Sequence, residues 1–354
     1  MTVTPSPVLD VQHVRVGFKR RRRDPLFWAV DDVSLSIQPG RTMGLIGESG
    51  SGKSTLANAV LGLAPIQSGT VSLAGRDITR LGATQRRKLG RSLQAVFQDP
   101  NSSLNPSWTI GRSLAEPMVA QGLGSRNEIG RRAAQLLEDV GMDPDAAERF
   151  PRQFSGGQRQ RISIARALMT SPELVICDES VSALDLSVQA QILNLLADMQ
   201  AKTGLAYLFI SHNMSVVRHV CHDITVLYRG QVMESGPTAL VTREPAHPYT
   251  RALLLAVPVA DPAEQRRRRS TNAAAEAANP VAAQHTGCPF AARCPVAVNQ
   301  CIDERPRLQS LPDGRQVACH RYPEWREELP TTSIQANDSN GRADDTQAGR
   351  IVND

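Results

Sequence analysis

The stretch Gly47-Glu48-Ser49-Gly50-Ser51-Gly52-Lys53-Ser54 decides the fold class, because it fits the phosphate-binding pattern G-x-x-x-x-G-K-[ST]. The apolar run 42–46 before it has the length of a strand, and the proline-free segment 54–63 after it has the length of a helix. Glycines let the loop turn its N–H groups inward, and Lys53 is a compact cation for the β- and γ-phosphates. The sequence therefore predicts an α/β chain that binds a nucleotide, with Ser54 placed to hold Mg²⁺.

Length and composition agree with a globular protein. The 354 residues suit one large domain plus an appendage, and 41% of them are hydrophobic. No apolar run approaches the roughly 18 residues of a membrane-spanning helix. The first ten residues lack the basic-then-apolar order of a secretion signal, so we expect a soluble protein in the cytosol. The net charge of +5 is too small to indicate a nucleic-acid partner.

The order of elements follows from hydrophobic periodicity. Alternating segments predict half-exposed strands, continuous apolar runs predict strands covered on both faces, and an amphipathic pattern predicts a helical insert. The alternating strands are at 8–16, 30–37 and 70–73, the buried strands at 174–177 and 205–210, the hairpin at 224–234 and the helical insert at 105–167.

Four polar residues follow apolar stretches and are candidates for chemistry. Asp178 and Glu179 come directly after the buried strand 174–177, at the carboxyl edge where open α/β sheets bind ligands. Asp178 suits Mg²⁺, and Glu179 suits the general base that activates the attacking water. Gln98 can offer an amide oxygen to the metal or the water. His212, two residues past a predicted strand, can contact the γ-phosphate.

A second glycine-rich turn, Ser155-Gly156-Gly157-Gln158, also opens a helix, so the chain has two surfaces suited to phosphate. With this pair, the sequence resembles an ABC transporter ATPase over about residues 8–258. The resemblance assigns the Walker A loop to 47–54, the Q-loop to Gln98, the signature motif to 155–158, Walker B to 174–178, the D-loop to 182–185 and the switch histidine to His212. It implies an ABC-type P-loop fold with a parallel core sheet, an antiparallel β subdomain and a helical subdomain at about 100–168.

The same resemblance implies a shared active site. Two ATPase domains face each other head to tail, and each ATP lies between the Walker A loop of one and the signature motif of the other. The implied catalytic residues are Glu179, His212 and Gln98, and the implied Mg²⁺ ligands are Ser54, Gln98 and Asp178. The implied nucleotide contacts are Phe18 (with Phe27 and Trp28 as alternatives on adenine), Gly47, Glu48, Ser49, Gly50, Ser51, Gly52, Lys53, Ser54, Thr55, Ser155, Gly156, Gly157, Gln158 and Asp185.

One position departs from the family pattern. Ser180 stands where proline usually follows the catalytic glutamate. Because proline restricts the residue before it, we expect Glu179 to be less rigidly aimed. The carboxylate is retained, so hydrolysis is still expected.

Four of the six cysteines cluster near the C-terminus, at spacing C-x5-C-x6-C-x17-C: Cys288, Cys294, Cys301 and Cys319. Disulfides are disfavoured in the cytosol, and clustered thiols in a segment with little apolar content favour a metal that substitutes for a core. His320 could replace one thiolate. Spacing alone does not separate an iron–sulfur cluster from Zn²⁺, and reduced, unliganded thiols are the third alternative.

Other stretches resemble the oligopeptide/dipeptide (and related nickel) importers. The stretches are 98–106, 247–254, 288–290 and 293–295, and in some members of this subfamily the C-terminal extension is associated with a [4Fe–4S] cluster. The resemblance implies an ATPase domain at 1–258 and a cysteine-bearing extension at 288–325. Composition predicts a linker at 259–287 and a disordered tail at 326–354.

The expected function is ATP hydrolysis that energises peptide uptake, with ATP and Mg²⁺ as cofactors. The implied partners are a second ABC ATPase subunit, in a homodimer or a heterodimer, two membrane permeases and, indirectly, a solute-binding protein, with no nucleic acid. The implied location is peripheral, on the cytoplasmic face of the membrane. The alternatives are a soluble non-transport ABC ATPase and a regulatory module without turnover; intact Lys53, Glu179 and His212 disfavour the latter. The transported solute is left open.

Overall fold

A computed structural model describes residues 6–19, 21, 24–98, 103–181, 184–258, 261, 263, 265–266 and 286–329. The strands are β1 (Leu9–Phe18), β2 (Phe27–Ile37), β3 (Thr42–Ile46), β4 (Ser68–Leu73), β5 (Arg76–Asp77), β6 (Leu93–Val96), β7 (Leu174–Asp178), β8 (Ala206–Ser211), β9 (Asp223–Tyr228), β10 (Gln231–Pro237), β11 (Gln309–Ser310) and β12 (Gln316–Val317). The helices are α1 (Lys53–Leu61), α2 (Ala83–Leu89), α3 (Ile110–Gln121), α4 (Arg126–Asp139), α5 (Gly156–Leu168), α6 (Leu186–Thr203), α7 (Met214–Val220), α8 (Thr238–Arg243), α9 (Pro248–Leu255), α10 (Asn299–Asp303) and α11 (Trp325–Glu328). Short 3-10 turns cover Pro144–Glu148, Pro151–Gln153 and Ala291–Arg293.

The larger sheet has the strand order β11-β12-β10-β9-β3-β8-β7-β6. Its centre is parallel, from β9 through β3, β8 and β7 to β6, and the pairs on the other side of β9 are antiparallel. Every residue of β3 and β8 is buried, as continuous apolar strands require. These strands form the parallel core that the sequence predicted.

A second, antiparallel sheet has the order β2-β1-β4-β5. Strand β2 buries Val33, Leu35 and Ile37, while the intervening positions are partly or fully exposed. This period of two gives one face to the core and the other to solvent. The predicted antiparallel β subdomain is therefore confirmed.

The hydrophobic core lies on both faces of the larger sheet. Leu174 and Ile176 of β7 belong to the cluster that joins the small sheet and α1, whereas Val175 and Cys177 belong to the cluster beneath the helices. Successive side chains of one strand thus enter opposite layers. This two-sided burial fixes the register of β7 and, with it, the position of the carboxylates that follow.

The helical subdomain is inserted between β6 and β7 and contains α3, α4 and α5. Helix α4 begins with a capping box in which the Ser125 side chain accepts from the Glu128 N–H and Glu128 Oε2 accepts from the Ser125 N–H at 2.6 Å. Such reciprocal bonds satisfy N–H groups that lack partners within the helix. The predicted helical insert is therefore present.

The C-terminal segment 286–329 adds to the larger sheet and does not stand apart from it. Strand β12 pairs with β10 through Glu234–Val317 and Ser235–Gln316. Val317 and Trp325 are buried in the same cluster as the helical core. We expected a metal to substitute for a hydrophobic core in this segment, but the segment shares the hydrophobic core of the main domain. Val317 reaches that core through its β pairing with Glu234, and cysteine spacing does not reveal such a pairing.

Several predicted segments fall outside the described residues. They include Ser182 and Ala183 of the predicted D-loop, most of the predicted linker and residues 330–354 of the predicted tail. Helix α11 continues to Glu328, past the predicted start of that tail at residue 326. Across the described ranges, no helix combines the length and hydropathy needed to cross a lipid bilayer.

Candidate active site

The phosphate-binding loop joins β3 to α1 and is shaped by two close approaches. A Cβ on Gly47, which has φ near +154°, would lie 2.2 Å from the carbonyl oxygen of Leu227. A Cβ on Gly52, with φ near +105°, would lie 2.2 Å from the carbonyl oxygen of Ala29. Both positions therefore require glycine, both for space and for backbone conformation.

Lys53 is the cation at the centre of this loop. Its Nζ donates to the carbonyl oxygens of Gly47 at 2.7 Å and Glu48 at 2.9 Å. Desolvation lowers the pKa of Lys53, and the nearby carboxylates of Glu179, Asp178 and Glu48 oppose that shift. An anionic phosphate would oppose it in the same way, so the site favours an anion beside this ammonium.

Asp178 ends β7 on the side of the loop. Its Oδ1 accepts a hydrogen bond from the Ser54 hydroxyl at 3.2 Å. Burial raises the pKa of Asp178, while the bond from Ser54 and the charge of Lys53 lower it. A carboxylate and a hydroxyl in contact are oxygen donors of the kind that Mg²⁺ prefers, so these residues fit the metal.

Glu179 and His212 come together, although they follow different strands. The distance from His212 Nδ1 to Glu179 Oε1 is 3.2 Å. The Glu179 N–H donates to the Ile210 carbonyl at 3.0 Å, and the residue has φ near +46°, which is uncommon outside glycine. Because β7 and β8 are neighbours in register, their ends bring both side chains to one edge of the sheet. Ser180, which replaces the usual proline, is buried.

Gln98 follows β6 by two residues and is exposed. Since β6 pairs in parallel with β7, Gln98 leaves the sheet at the same edge as Asp178. Residues 99–102, which follow it, lie outside the described part of the chain.

The second glycine-rich turn forms the start of α5. Ser155 is the N-cap, and its side chain and that of Gln158 bond reciprocally to each other's backbone N–H. Ser155 and Gly156 are exposed, so this helix start is open to an anion. A Cβ on Gly157 would lie 2.5 Å from Val188 Cγ1. The turn therefore packs on one side and is accessible on the other.

Asp185 is the N-cap of helix α6. Its carboxylate caps α6 by accepting from the Val188 N–H at 2.9 Å. That bond, followed by the one from Ser187, lowers the pKa of Asp185. Asp185 was predicted to contact the nucleotide, and its contacts in the structure are those of a helix N-cap.

Three aromatic side chains at the ends of β1 and β2 are at least partly exposed. Phe18 is 44% exposed and lies opposite Phe27, which is 65% exposed, while Trp28 is 36% exposed. The neighbouring Ala29 carbonyl touches the loop at Gly52. The hairpin end thus places apolar rings beside the loop, where a base can stack.

The four clustered cysteines converge. Cys288, Cys294, Cys301 and Cys319 line one small cavity, together with His247 and His320. None of the six cysteines forms a disulfide. Burial raises the pKa of the Cys288 thiol to about 11 and those of the Cys294 and Cys319 thiols to about 12. Within the described ranges no His, Cys, Asp and Glu side chains form a metal-binding group of three or more. Cysteine and histidine side chains are suitable ligands for a metal, but the described residues do not form a closed metal site.

Two contacts with the loop had no signal in the local sequence pattern. The Tyr249 hydroxyl accepts from the Glu48 N–H at 3.0 Å, and Arg293 forms an ion pair with the Glu48 carboxylate at 2.8 Å. Both side chains come from segments that follow β10 in the chain. Periodicity describes neighbours along one element and does not reach such distant pairs.

Together, the glycine-rich loop, Lys53, Asp178 and Glu179 define a P-loop nucleotide hydrolase. Comparison with known families specifies this class. Residues 30–182 match the family described as "ABC transporter", and residues 233–301 match "Oligopeptide/dipeptide transporter, C-terminal region".

Relatives agree with this assignment. The "Probable peptide ABC transporter ATP-binding protein y4tS" of Sinorhizobium fredii is 49% identical over 296 residues, covering 84% of this chain and 83% of that protein. The "Di/tripeptide transport ATP-binding protein DppF" of Pseudomonas aeruginosa is 45% identical over 292 residues, covering 82% and 89%.

Solved structures show the same fold. The cbiO1 protein of Clostridium perfringens, part of the ABC transporter complex cbiONQ, has a TM-score of 0.61 and 25% identity, covering 67% of this chain and 91% of that one. A dimeric post-hydrolysis state of the ATP-binding cassette MJ0796, bound to ADP and Pi, has a TM-score of 0.59 and 28% identity, covering 65% and 98%. The chain belongs to the ATP-binding subunits of the ABC transporter family and is an ATPase that uses ATP and Mg²⁺.

Proposed function

We propose that this chain is the ATP-hydrolysing subunit of an importer for oligopeptides or dipeptides. The observation that carries the proposal is the presence, in one chain, of the ATP site and the C-terminal region that oligopeptide and dipeptide transporters share. The names of the relatives from Sinorhizobium fredii and Pseudomonas aeruginosa support a peptide as the solute. The subunit works on the cytoplasmic face of the membrane with two permeases, a second ATPase subunit and, indirectly, a solute-binding protein.

We propose the following roles for the residues of the site. Lys53 and the N–H groups of the loop hold the β- and γ-phosphates, and Phe18 stacks on adenine. Ser54, Asp178 and Gln98 would hold Mg²⁺, which would neutralise phosphate charge. Glu179 orients and deprotonates the attacking water, with His212 at 3.2 Å from its carboxylate.

The signature turn completes the site of a second subunit. Ser155 and Gly156 are exposed at a helix start, where N–H groups and the helix dipole favour an anion. In the proposed dimer this turn contacts the γ-phosphate of the ATP held by the partner, and Asp185 orders the segment beside it. Closure on ATP and opening after hydrolysis then move the permeases through the region of Gln98.

We propose further that the four converging thiols hold a metal group, a [4Fe–4S] cluster with Zn²⁺ as the alternative. Four thiolates are the usual ligands of both. Visible absorbance and iron analysis of protein purified without oxygen test the cluster. Colourless protein with stoichiometric zinc would select Zn²⁺, and protein with neither metal would reject the proposal.

A transport assay tests the function as a whole. Cells that lack the chain and retain its partner genes should lose uptake of labelled peptides and regain it with the wild-type chain. Glu179→Gln should fail to restore uptake, whereas Glu173→Gln should succeed. Glu173 is a matched control because it is exposed and precedes the same strand β7 at its other end. Normal peptide uptake without the chain would refute the proposal and favour a non-transport ATPase.

A further inference from the structure

The segment between two of the cysteines reaches the phosphate-binding loop. We name residues 288–294 the cysteine turn. Arg293, in this turn, donates from Nη1 to both carboxylate oxygens of Glu48, at 3.0 and 2.8 Å. Glu48 is the second residue of the loop. A side chain from the cysteine-bearing segment therefore contacts the loop that binds ATP.

Glu48 is also bonded to Lys53, the cation of the phosphate-binding loop. Its carbonyl oxygen accepts from Lys53 Nζ at 2.9 Å, and its N–H donates to the Tyr249 hydroxyl at 3.0 Å. Tyr249 is fully buried, and its ring lies 5.3 Å from that of Phe290, which also belongs to the cysteine turn. The cysteine turn thus holds Glu48 by two routes, an ion pair and a packed aromatic ring.

The backbone of the turn is tied to its cysteines. The Ala291 N–H donates to the Cys288 carbonyl at 2.9 Å, and the Cys294 N–H donates to the Ala291 carbonyl at 3.2 Å. The Cys288 N–H donates to the Cys301 carbonyl at 2.8 Å. All three cysteines line the cavity described above. The short turn that carries Arg293 and Phe290 is therefore hydrogen-bonded to the backbone of three of the four cysteines.

We propose that the cysteine turn positions the phosphate-binding loop through Arg293 and Glu48, so that ATP affinity depends on the state of the four thiols. Arg293 acts through Glu48 and is a positioning residue. The proposal rests on the ATP site of the proposed function and adds a control of that site by a distant part of the chain.

The first test compares the full-length wild-type chain with Arg293→Met. The ion pair is about two-fifths exposed on both sides, so its loss should raise the Kd and KM for ATP about threefold to tenfold, with kcat nearly unchanged. Arg293→Lys should restore most of the affinity, because a single nitrogen makes both contacts. Glu48→Gln removes the same ion pair together with a carboxylate near Lys53, so its effect on ATP affinity should be non-additive with that of Arg293→Met in the double variant.

Arg305→Gln is the matched control. Arg305 also joins the C-terminal segment to the main domain, through Asp31 at 2.7 Å, and its side chain is 36% exposed, as is that of Arg293. Its pair does not involve the phosphate-binding loop. Both variants should lower the thermal stability, while only Arg293→Met changes the KM for ATP.

A second test addresses the thiols. Replacing Cys288 and Cys294 by serine should raise the KM for ATP, and the same replacement should have a smaller effect in the Arg293→Met background, where only the route through Phe290 and Tyr249 remains. Equal affinity of Arg293→Met and the wild type, an equal loss in Arg305→Gln, or unchanged KM in the cysteine variant would each overturn the proposal. A wild-type chain that neither binds nor hydrolyses ATP would instead overturn the proposed function.

Discussion

Replacing Glu179 by glutamine should separate ATP hydrolysis from ATP binding. The change keeps the size of the side chain and one of its oxygen atoms, while it removes the base. Glu179 lies 3.2 Å from His212 and is held by a backbone bond to Ile210 at 3.0 Å, so the variant should keep its position. The loss should therefore fall on the chemical step.

The size of this loss follows from the proposed role. General base catalysis contributes about 10²- to 10⁴-fold to rate, which corresponds to about 3 to 5 kcal/mol in the activation barrier. Binding should change in the opposite sense. The Glu179 carboxylate raises the pKa of Lys53, so it lies close enough to repel an incoming phosphate. The Kd for ATP of the variant should be equal to or lower than that of the wild type.

The assay combines phosphate release at saturating Mg²⁺-ATP with equilibrium binding of a fluorescent ATP analogue. Glu173→Gln is the control and should behave as the wild type. Hydrolysis by Glu179→Gln within about fivefold of the wild type would contradict the assigned base, because that is well below the expected range. Loss of binding together with hydrolysis would show that Glu179 acts by holding the site together.

Three further predictions concern Gly157, Glu234 and His212. In Gly157→Ala the new methyl group would lie 2.5 Å from Val188 Cγ1, so the free energy of unfolding should fall by about 1 to 3 kcal/mol. Adding Val188→Ala should recover the lost stability, and chemical denaturation measures both effects. Equal stability of Gly157→Ala and the wild type would contradict the contact. Burial raises the pKa of Glu234 to about 7, above its unfolded value. The stability that this carboxyl contributes is therefore complete below its unfolded pKa and is lost as the pH rises through about 7. The urea midpoint of the wild type should fall between about pH 5 and pH 8 more than that of Glu234→Gln, and an equal pH dependence of the two midpoints would refute this assignment. His212→Ala should lower ATPase kcat and, since His212 contacts Glu179, should add little to Glu179→Gln; full additivity in the double variant would show that the two side chains act separately.

The part of the fold that sequence reasoning predicted is the part written in local patterns. Strands β2 and β8 have periods of alternating and continuous apolar residues that follow directly from one-sided and two-sided burial. The carboxyl ends of the neighbouring strands β7 and β8 place Asp178 and His212 at one edge of the larger sheet. The two-residue strands β11 and β12 are too short to show any period, so the extension of the sheet by the C-terminal segment was not foreseen.

The candidate site divides in the same way. The loop residues and Glu179 were predicted as site residues because phosphate chemistry demands particular residue types in a fixed order, and the structure brings them to one edge of the sheet. The ion pair of Arg293 with Glu48 joins residues separated by 245 positions, and neither residue has a local pattern that indicates the other. The spacing of the cysteines indicated that they converge, but thiol spacing does not specify which metal they bind.

Strand β10 pairs with β12 on one side and β9 on the other. A polypeptide cut after residue 258 would retain every nucleotide motif and yet expose the outer side of β10, whose N–H and C=O groups would be bare. Such an uncovered margin invites pairing with other chains, so the shortened protein should precipitate or form β-rich oligomers. The segment 286–329 therefore covers an edge of the larger sheet as well as placing Arg293 beside the phosphate-binding loop.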